Sequence, residues 1–432
     1  MNAHEFNLSR RHLMAMSAGA LAANVAISEA HAQATRPFAI SGRASMAKAV
    51  QKAVEGRDVA GVVTLVAKGN ETLVNTFGVQ DIETGVPIQR NTIFRIASMT
   101  KPTCAVAAMI LVEEGKLALD APVDRWLPEL ANRQVLRTIG SALDDTVPAQ
   151  RAITLRDLMT LRMGTGAIMQ PPGTYPIQNA MSDAGLLPSP KPFTEGPDAF
   201  MQRLGALPLI FQPGERWMYH TGFDVLGVLI ARATGMPLSE FLQARIFAPL
   251  AMSDTAFYVP TGKIERLATC YQRDPQTRQL TVFDKARGGL FSQAPAFEAG
   301  GGGLVSTADD FLAFAQMLLH KGPAGKERIL SPAAIAQMTA DQITPAQKAA
   351  SPFAPGFWET NGWGFGLAVA TAPDKISATP GRFGWDGGYG TTFIADPAAD
   401  LFAILLAQRV MQSPDDTALN TAFMTETYRA LG

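Results

Sequence analysis

Segments patterned as strands lie only toward the two ends of this 432-residue chain, with a long helical and loop-rich stretch between them. No other feature restricts the fold as strongly. Gly61 to Val79, GVVTLVAKGNETLVNTFGV, reads as two strands joined at Lys68-Gly69-Asn70, because branched and aromatic residues flank a Gly-Asn turn. Trp363 to Thr371, Gly381 to Pro397 and Asp400 to Val410 read as three more, followed by a last helix, DDTALNTAFMTETYRAL. A single antiparallel sheet assembled from both ends accommodates all of them. A helix from about Ile40 to Val54 precedes the first strand. Between the strand regions, Val123 to Leu130, Ile153 to Leu161 and Phe223 to Ile246 carry helical periodicity, the last interrupted at Gly235 and Pro237. The expected layout is a sheet domain from residues 33–116 and 286–432, with 117–285 as an inserted helical domain. A Pro/Gly-rich segment from Gly164 to about Phe193 is either a binding loop or a surface excursion.

Immediately after the first strands comes FRIASMTKPTCAVAAMILVEEG, Phe94 to Gly115. Residues three apart on a helix share a face, so the Ser98 hydroxyl and the Lys101 amine can meet as nucleophile and base. Pro102 is tolerated in a first helical turn, and Gly115 is a plausible stop. The run from Cys104 to Val112 is apolar nearly all round and belongs in a core. A lysine at the mouth of such a helix is partly desolvated, which lowers its pKa. A second Ser-x-x-Lys, Ser45 to Lys48, lies in an amphipathic stretch with Lys48 and Lys52 on its polar side, and reads as a solvated helix face.

A net charge of −1 gives no electrostatic case for nucleic acid or an anionic membrane surface. The N-terminus carries Ser9-Arg10-Arg11-His12-Leu13-Met14, an apolar run and then Ala30-His31-Ala32. That is the pattern of a twin-arginine-type export signal over residues 1–32, an ordinary amphipathic helix being the alternative. The run is short for a membrane span, so stable insertion after signal removal is not expected, and the working protein is expected to be periplasmic or secreted. Cys104 and Cys270 are the only cysteines, too few for a disulfide framework, and no Cys/His cluster has metal-ligand spacing.

Beyond the signal region the chain has only His220 and His320, and no Gly-x-Ser-x-Gly elbow. A Ser-His-Asp hydrolase is disfavoured unless His220 serves. The run Gly300 to Gly303 lacks the Gly-Lys-Ser/Thr ending of a phosphate loop, and Ser306 or Thr307 is placed to cap the helix that follows.

Four stretches, FRIASMTK (Phe94 to Lys101), PGERWMYHTGFDVLG (Pro213 to Gly227), PLAMSDTAF (Pro249 to Phe257) and FGWDGGYGT (Phe383 to Thr391), together resemble the serine β-lactamase and penicillin-binding-protein superfamily. The resemblance is strongest to its class C β-lactamase and family VIII carboxylesterase branch. It implies an α/β (α+β) fold of the β-lactamase/DD-peptidase type: an antiparallel sheet flanked by helices, with an all-helical insertion. It also implies Ser98 as the acylated nucleophile, Lys101 as its partner and Tyr219 as a second base or proton shuttle, the base role requiring a neighbouring cation, Lys101, to lower the phenol's pKa. The backbone N–H groups of Ser98 and Gly388 are then the oxyanion hole. Trp385, Asp386 and Gly387 stand where most of the superfamily has Lys-Thr-Gly and are expected to line the substrate site with Thr221.

Two departures separate the chain from β-lactamases. Trp385 replaces the lysine that grips a carboxylate, and Thr221 stands where an asparagine holds the acylamide side chain. LRMGTG after Thr160 also differs from the usual His-Thr-Ser-Gly. The resemblance thus implies a carboxylesterase for short-chain esters, a small-molecule hydrolase that needs no cofactor or metal. A β-lactamase, D-amino acid peptidase or amide hydrolase of the same fold, and a cell-wall-binding protein without turnover, are the alternatives. The sequence leaves the oligomeric state open.

Overall fold

The computed structural model describes residues 38–189, 191–320 and 328–431. The expected export signal lies outside them. Helix α1 (Ile40–Glu55) leads into β1 (Gly61–Lys68) and β2 (Glu71–Gly78), a hairpin whose register pairs Lys68 with Glu71 across Gly69-Asn70. At the far end of the chain come β3 (Asn361–Trp363), β4 (Ala368–Ala370), β5 (Phe383–Gly387), β6 (Thr391–Asp396) and β7 (Leu401–Ala407). All seven form one antiparallel sheet in the order β2-β1-β7-β6-β5-β4-β3. The two ends meet at the β1–β7 pair, where Val62 faces Ala407 and Lys68 faces Leu401.

Alternation sorts the side chains of β1 onto two faces. Val62 and Val66 pack with α1 and the last helix, α5 (Ala418–Arg429), through Met46, Val50, Phe423 and Met424. Val63, Leu65 and Ala67 face the main core, which includes α2 (Thr100–Glu113) and α4 (Ala308–Leu319). With both faces covered, β1 and β7 are buried along their whole length. From Thr100 to Leu111 every residue of α2 is buried, as its all-round apolar sequence requires, and Gly115 ends it at φ 71°. Helix α3 (Thr221–Thr234) ends at Gly235 with φ 71°, and a short helix resumes after Pro237. The cap of α4 is Thr307, whose hydroxyl accepts from the Asp310 N–H.

The C-terminal stretches expected as three strands form five. Gly366 at φ 79° turns β3 into β4, and a Cβ there would stand 2.9 Å from the Lys101 carbonyl, so the hairpin can press on α2 only through a glycine. Gly390 at φ 80° likewise turns β5 into β6. The region between Leu117 and Lys285 is not helical throughout. It also holds two ribbons, Gln134–Leu136 with Thr146–Pro148 and Cys270–Arg273 with Leu280–Asp284, the first too short to display a period of two in the sequence. Val123 to Leu130 yields only a 3-10 turn at Pro128–Leu130.

Arg95 anchors the approach to Ser98. Fully buried, its guanidinium donates to Asp284 at 2.8 Å, to the Ala268 carbonyl at 2.6 Å and to Gln408 Oε1 at 3.0 Å. One side chain thus ties a ribbon of the central segment to the end of β7. Removing one partner of a buried ion pair leaves the other charge uncompensated. Asp284→Ala should therefore destabilise the protein by about 3–5 kcal/mol, read as a lowered urea midpoint.

Candidate active site

Ser98 sits in a single 3-10 turn, Ala97–Met99, that runs directly into α2. Ala97 holds φ 43°, an unfavourable conformation for a residue with a side chain. This kink leaves Ser98 at the wall of a cavity of about 1060 Å³ while Lys101, one helical step on, is fully buried. The two meet as their spacing allows, with Lys101 Nζ 2.9 Å from Ser98 Oγ. The same Nζ lies 2.6 Å from the Gly301 carbonyl and 3.2 Å from His220 Nδ1. Burial lowers its pKa to about 7, partly opposed by the Asp224 carboxylate. A neutral amine is therefore well populated at neutral pH.

Tyr219 closes the other side of Ser98. Its phenol accepts from Trp385 Nε1 at 2.7 Å and is hydrogen-bonded to Ser98, and Lys101 Nζ stands 4.6 Å from its ring centroid. The condition for Tyr219 to act as a base, a pKa lowered by Lys101, is not met here. Burial pushes the Tyr219 pKa well above its ordinary value, which the hydrogen bonds to Ser98 and Trp385 only partly offset. The residue stays a phenol, because the desolvation that makes Lys101 a good base also disfavours a tyrosinate.

On β5, Trp385 faces the cavity within an aromatic cluster, crossing Trp363 nearly edge to face at 4.6 Å and lying 6.1 Å from Phe353. Asp386 also lines the cavity, and Asn420 at the start of α5 donates to it at 3.3 Å. Burial raises its pKa despite hydrogen bonds from Thr392 and Asn420. Gly387 is buried behind the wall. A Cβ there would meet Thr391 Oγ1 at 2.1 Å and the Ile96 carbonyl at 2.3 Å, so glycine permits β5 to lie against the Ser98 turn. Gly388, next in the chain, reaches the cavity with open space beside it. Gly387 and Thr221 are the two residues expected to line the substrate site that do not reach the cavity. Thr221 is the first residue of α3 and is buried.

Of the Pro/Gly-rich segment, Pro188, Ser189 and Pro192 reach the cavity wall, which favours the binding-loop reading. Three features were missed from the sequence, which raised His220 only as the base of a Ser-His-Asp hydrolase and Gly300 to Gly303 only as a phosphate loop. Phe353 and Phe357 add to the apolar wall, and no spacing motif marks them. The Gly301 carbonyl touches Lys101 because the glycine run passes against His220 and Asp224, where a Cβ at 301 would stand 2.8 Å from Asp224 Oδ1. His220 and Asp224 themselves pair at 3.1 Å, and their separation by four residues on a helical segment was the available signal.

Comparison with known proteins agrees with this geometry. The family model for β-lactamase matches residues 46–423. Protein Rv1367c of Mycobacterium tuberculosis is 41% identical over 394 residues, covering 87% of this chain and 95% of that protein. Esterase EstB of Burkholderia gladioli is 33% identical over 394 residues, covering 86% and 92%. Among solved structures, EstCE1, a hydrolase with promiscuous acyltransferase activity, aligns with a TM-score of 0.72 at 26% identity, over 89% of this chain and 99% of its own. A serine and a buried lysine beneath an aromatic cavity, in this fold and among these relatives, make the chain a member of the β-lactamase family and a serine hydrolase.

Proposed function

We propose that the protein is a carboxylesterase for short-chain esters that works through an acyl-enzyme on Ser98, after export to the periplasm or beyond. The observation that carries the reading is the 2.9 Å contact between Ser98 Oγ and the buried Lys101 amine on the wall of an aromatic cavity. The neutral amine of Lys101 takes the Ser98 proton as Oγ attacks the ester carbonyl. The N–H groups of Ser98 and Gly388 hold the oxyanion, a contribution of about 2.7–4 kcal/mol per donor in such sites. Tyr219 gives its phenolic proton to the departing alkoxide and regains one from the Lys101 ammonium. Water then repeats the sequence on the acyl-enzyme and frees the acid. The twin-arginine pattern at Ser9 to Met14 supports export.

Trp385 supports esters over β-lactams, since an indole at that position offers an apolar wall and no cation for a carboxylate. Arg382 nearby is tied to Asp374. The size of the cavity favours one variant of the reaction, in which a bulky alcohol replaces water as acceptor and the acyl group is transferred, in keeping with the promiscuous acyltransferase activity of EstCE1.

Ser98→Ala should lower hydrolysis of p-nitrophenyl butyrate by roughly 10⁴-fold or more, while Ser45→Ala, on the exposed face of α1, leaves it unchanged. Steady-state kinetics beside a chromogenic cephalosporin check both points. Turnover surviving in Ser98→Ala removes the assignment, and a preference for the cephalosporin replaces the esterase by a β-lactamase.

The pH profile follows from Lys101. Only the neutral amine accepts a proton, and its pKa is lowered to about 7. Hence kcat/KM should fall about tenfold per pH unit below 7 and level off above it. Tyr219 remains protonated and adds no descending limb before pH ~10. An acid limb near the ordinary lysine value would refute the buried, neutral base.

A further inference from the structure

His220 occupies a backbone conformation that a residue with a side chain rarely adopts, φ 86° and ψ −65°. Such a conformation costs about 1–3 kcal/mol and persists only where its surroundings hold it. It places Tyr219 and His220 on two sides of Lys101, the ring of one 4.6 Å from Nζ and Nδ1 of the other 3.2 Å away. The far nitrogen of the imidazole, Nε2, is 3.1 Å from Asp224 Oδ2. Asp224 Oδ1 accepts the Gly301 N–H at 2.9 Å, and the Gly301 carbonyl returns to Lys101 at 2.6 Å. Lysine, histidine, aspartate and one glycine, through its N–H and its carbonyl, thus form a closed ring of hydrogen bonds.

Counting protons on this ring gives it a direction. A carboxylate only accepts, so His220 must present Nε2–H to Asp224 and leave Nδ1 bare. Burial and the neighbouring Lys101 keep the imidazole from taking a second proton, outweighing the pull of Asp224. A neutral lysine amine has two N–H bonds and one lone pair. The Gly301 carbonyl and the bare Nδ1 accept the two N–H bonds, which leaves the lone pair for the third neighbour, the Ser98 hydroxyl. When the Ser98 O–H bond breaks and the third N–H forms on Lys101, the ammonium has three acceptors already in place.

From this geometry we infer that His220 and Asp224 are a positioning pair for the base: Asp224 fixes the tautomer of His220, and His220 aims the Lys101 lone pair at Ser98. The inference rests on the reading of Ser98 as nucleophile and Lys101 as its base. His220 does not reach the substrate in this role, although it borders the cavity. Titratable groups around the ring are Tyr219 before α3, Cys104 one turn along α2 and Asp386 on β5. The thiol of Cys104 is pushed up by burial and stays protonated, and burial raises the Asp386 pKa. Asp224 is thus the carboxylate within the ring itself.

Asp224→Asn is the decisive substitution. Its amide oxygen would keep the Gly301 N–H, so its NH2 would face Nε2 and force the imidazole proton onto Nδ1. That N–H would then point at the Lys101 lone pair and occupy it. The expected result, on the full-length enzyme with p-nitrophenyl butyrate, is a kcat lower by roughly 10²–10⁴-fold with KM nearly unchanged, by analogy with a triad aspartate. Loss of the anion also removes support for the Lys101 ammonium, so the acid limb should move below its position near 7. His220→Leu should lower kcat as well. Adding Asp224→Asn to His220→Leu should cost little more, because no imidazole remains to be turned.

Active-site titration with a phosphonate ester normalises every rate to folded sites. An Asp224→Asn enzyme with wild-type kcat overturns the inference. So does a reduced kcat with an unmoved acid limb and fully additive losses in the double variant, the behaviour of residues that serve folding alone. Turnover in Ser98→Ala would instead sink the underlying nucleophile assignment, whatever the Asp224 result.

Discussion

Everything in this molecule that bears on chemistry depends on keeping one ammonium-forming group out of water. Lys101 is buried at the start of a helix whose next ten residues are also buried, and its amine has only polar neighbours that suit a neutral nitrogen. Desolvation of a lysine is costly, and the sheet and helices around it must supply that free energy through packing. The close approaches of Gly301, Gly366 and Gly387 are part of the same arrangement. Each lets backbone lie where a methyl group would collide, and together they press the glycine run, the β3–β4 turn and β5 around the Ser98 turn.

The wall above this centre is of a different character. Aromatic rings from β3, β5 and the segment before β3 pack around Tyr219 in tilted, stacked and edge-to-face pairs and give the cavity an apolar lining. Trp385 serves both regions. Its indole N–H holds the Tyr219 phenol, and its ring forms part of the apolar wall of the cavity. A change at position 385 would therefore act on the cavity wall and, through the same hydrogen bond, on the orientation of the Tyr219 phenol.

Much of this was legible in the sequence alone. The three-residue step from Ser98 to Lys101 and the apolar helix behind it required only helical geometry. The order of four motifs brought Tyr219, Trp385 and Gly388 to one place, and the strand patterns at the two ends implied a shared sheet. What escaped the sequence were quantities that exist only after packing. A base role for Tyr219 required a nearby cation to make its phenol acidic, but burial acts on both groups and opposes the two charged forms together. Thr221 was placed in the cavity by motif position, whereas the turn at His220 directs it into the core. Glycine-rich stretches such as WGFGLAVAT concealed hairpins, since a single positive φ at Gly366 suffices to reverse the chain.

The β1–β7 pair has a consequence for how the protein comes into being. Its strands are separated by more than three hundred residues, yet they lie side by side as the second and third strands of the sheet. Contacts of such long sequence separation form late and slowly, because a large loop must close first. During synthesis, Ser98 and Lys101 leave the ribosome long before Trp385, Gly388 and the strand that joins them to the rest. The nascent chain therefore carries Ser98 and Lys101 without the Trp385 wall or the Gly388 N–H. The site is complete only once the last strand has docked beside the first.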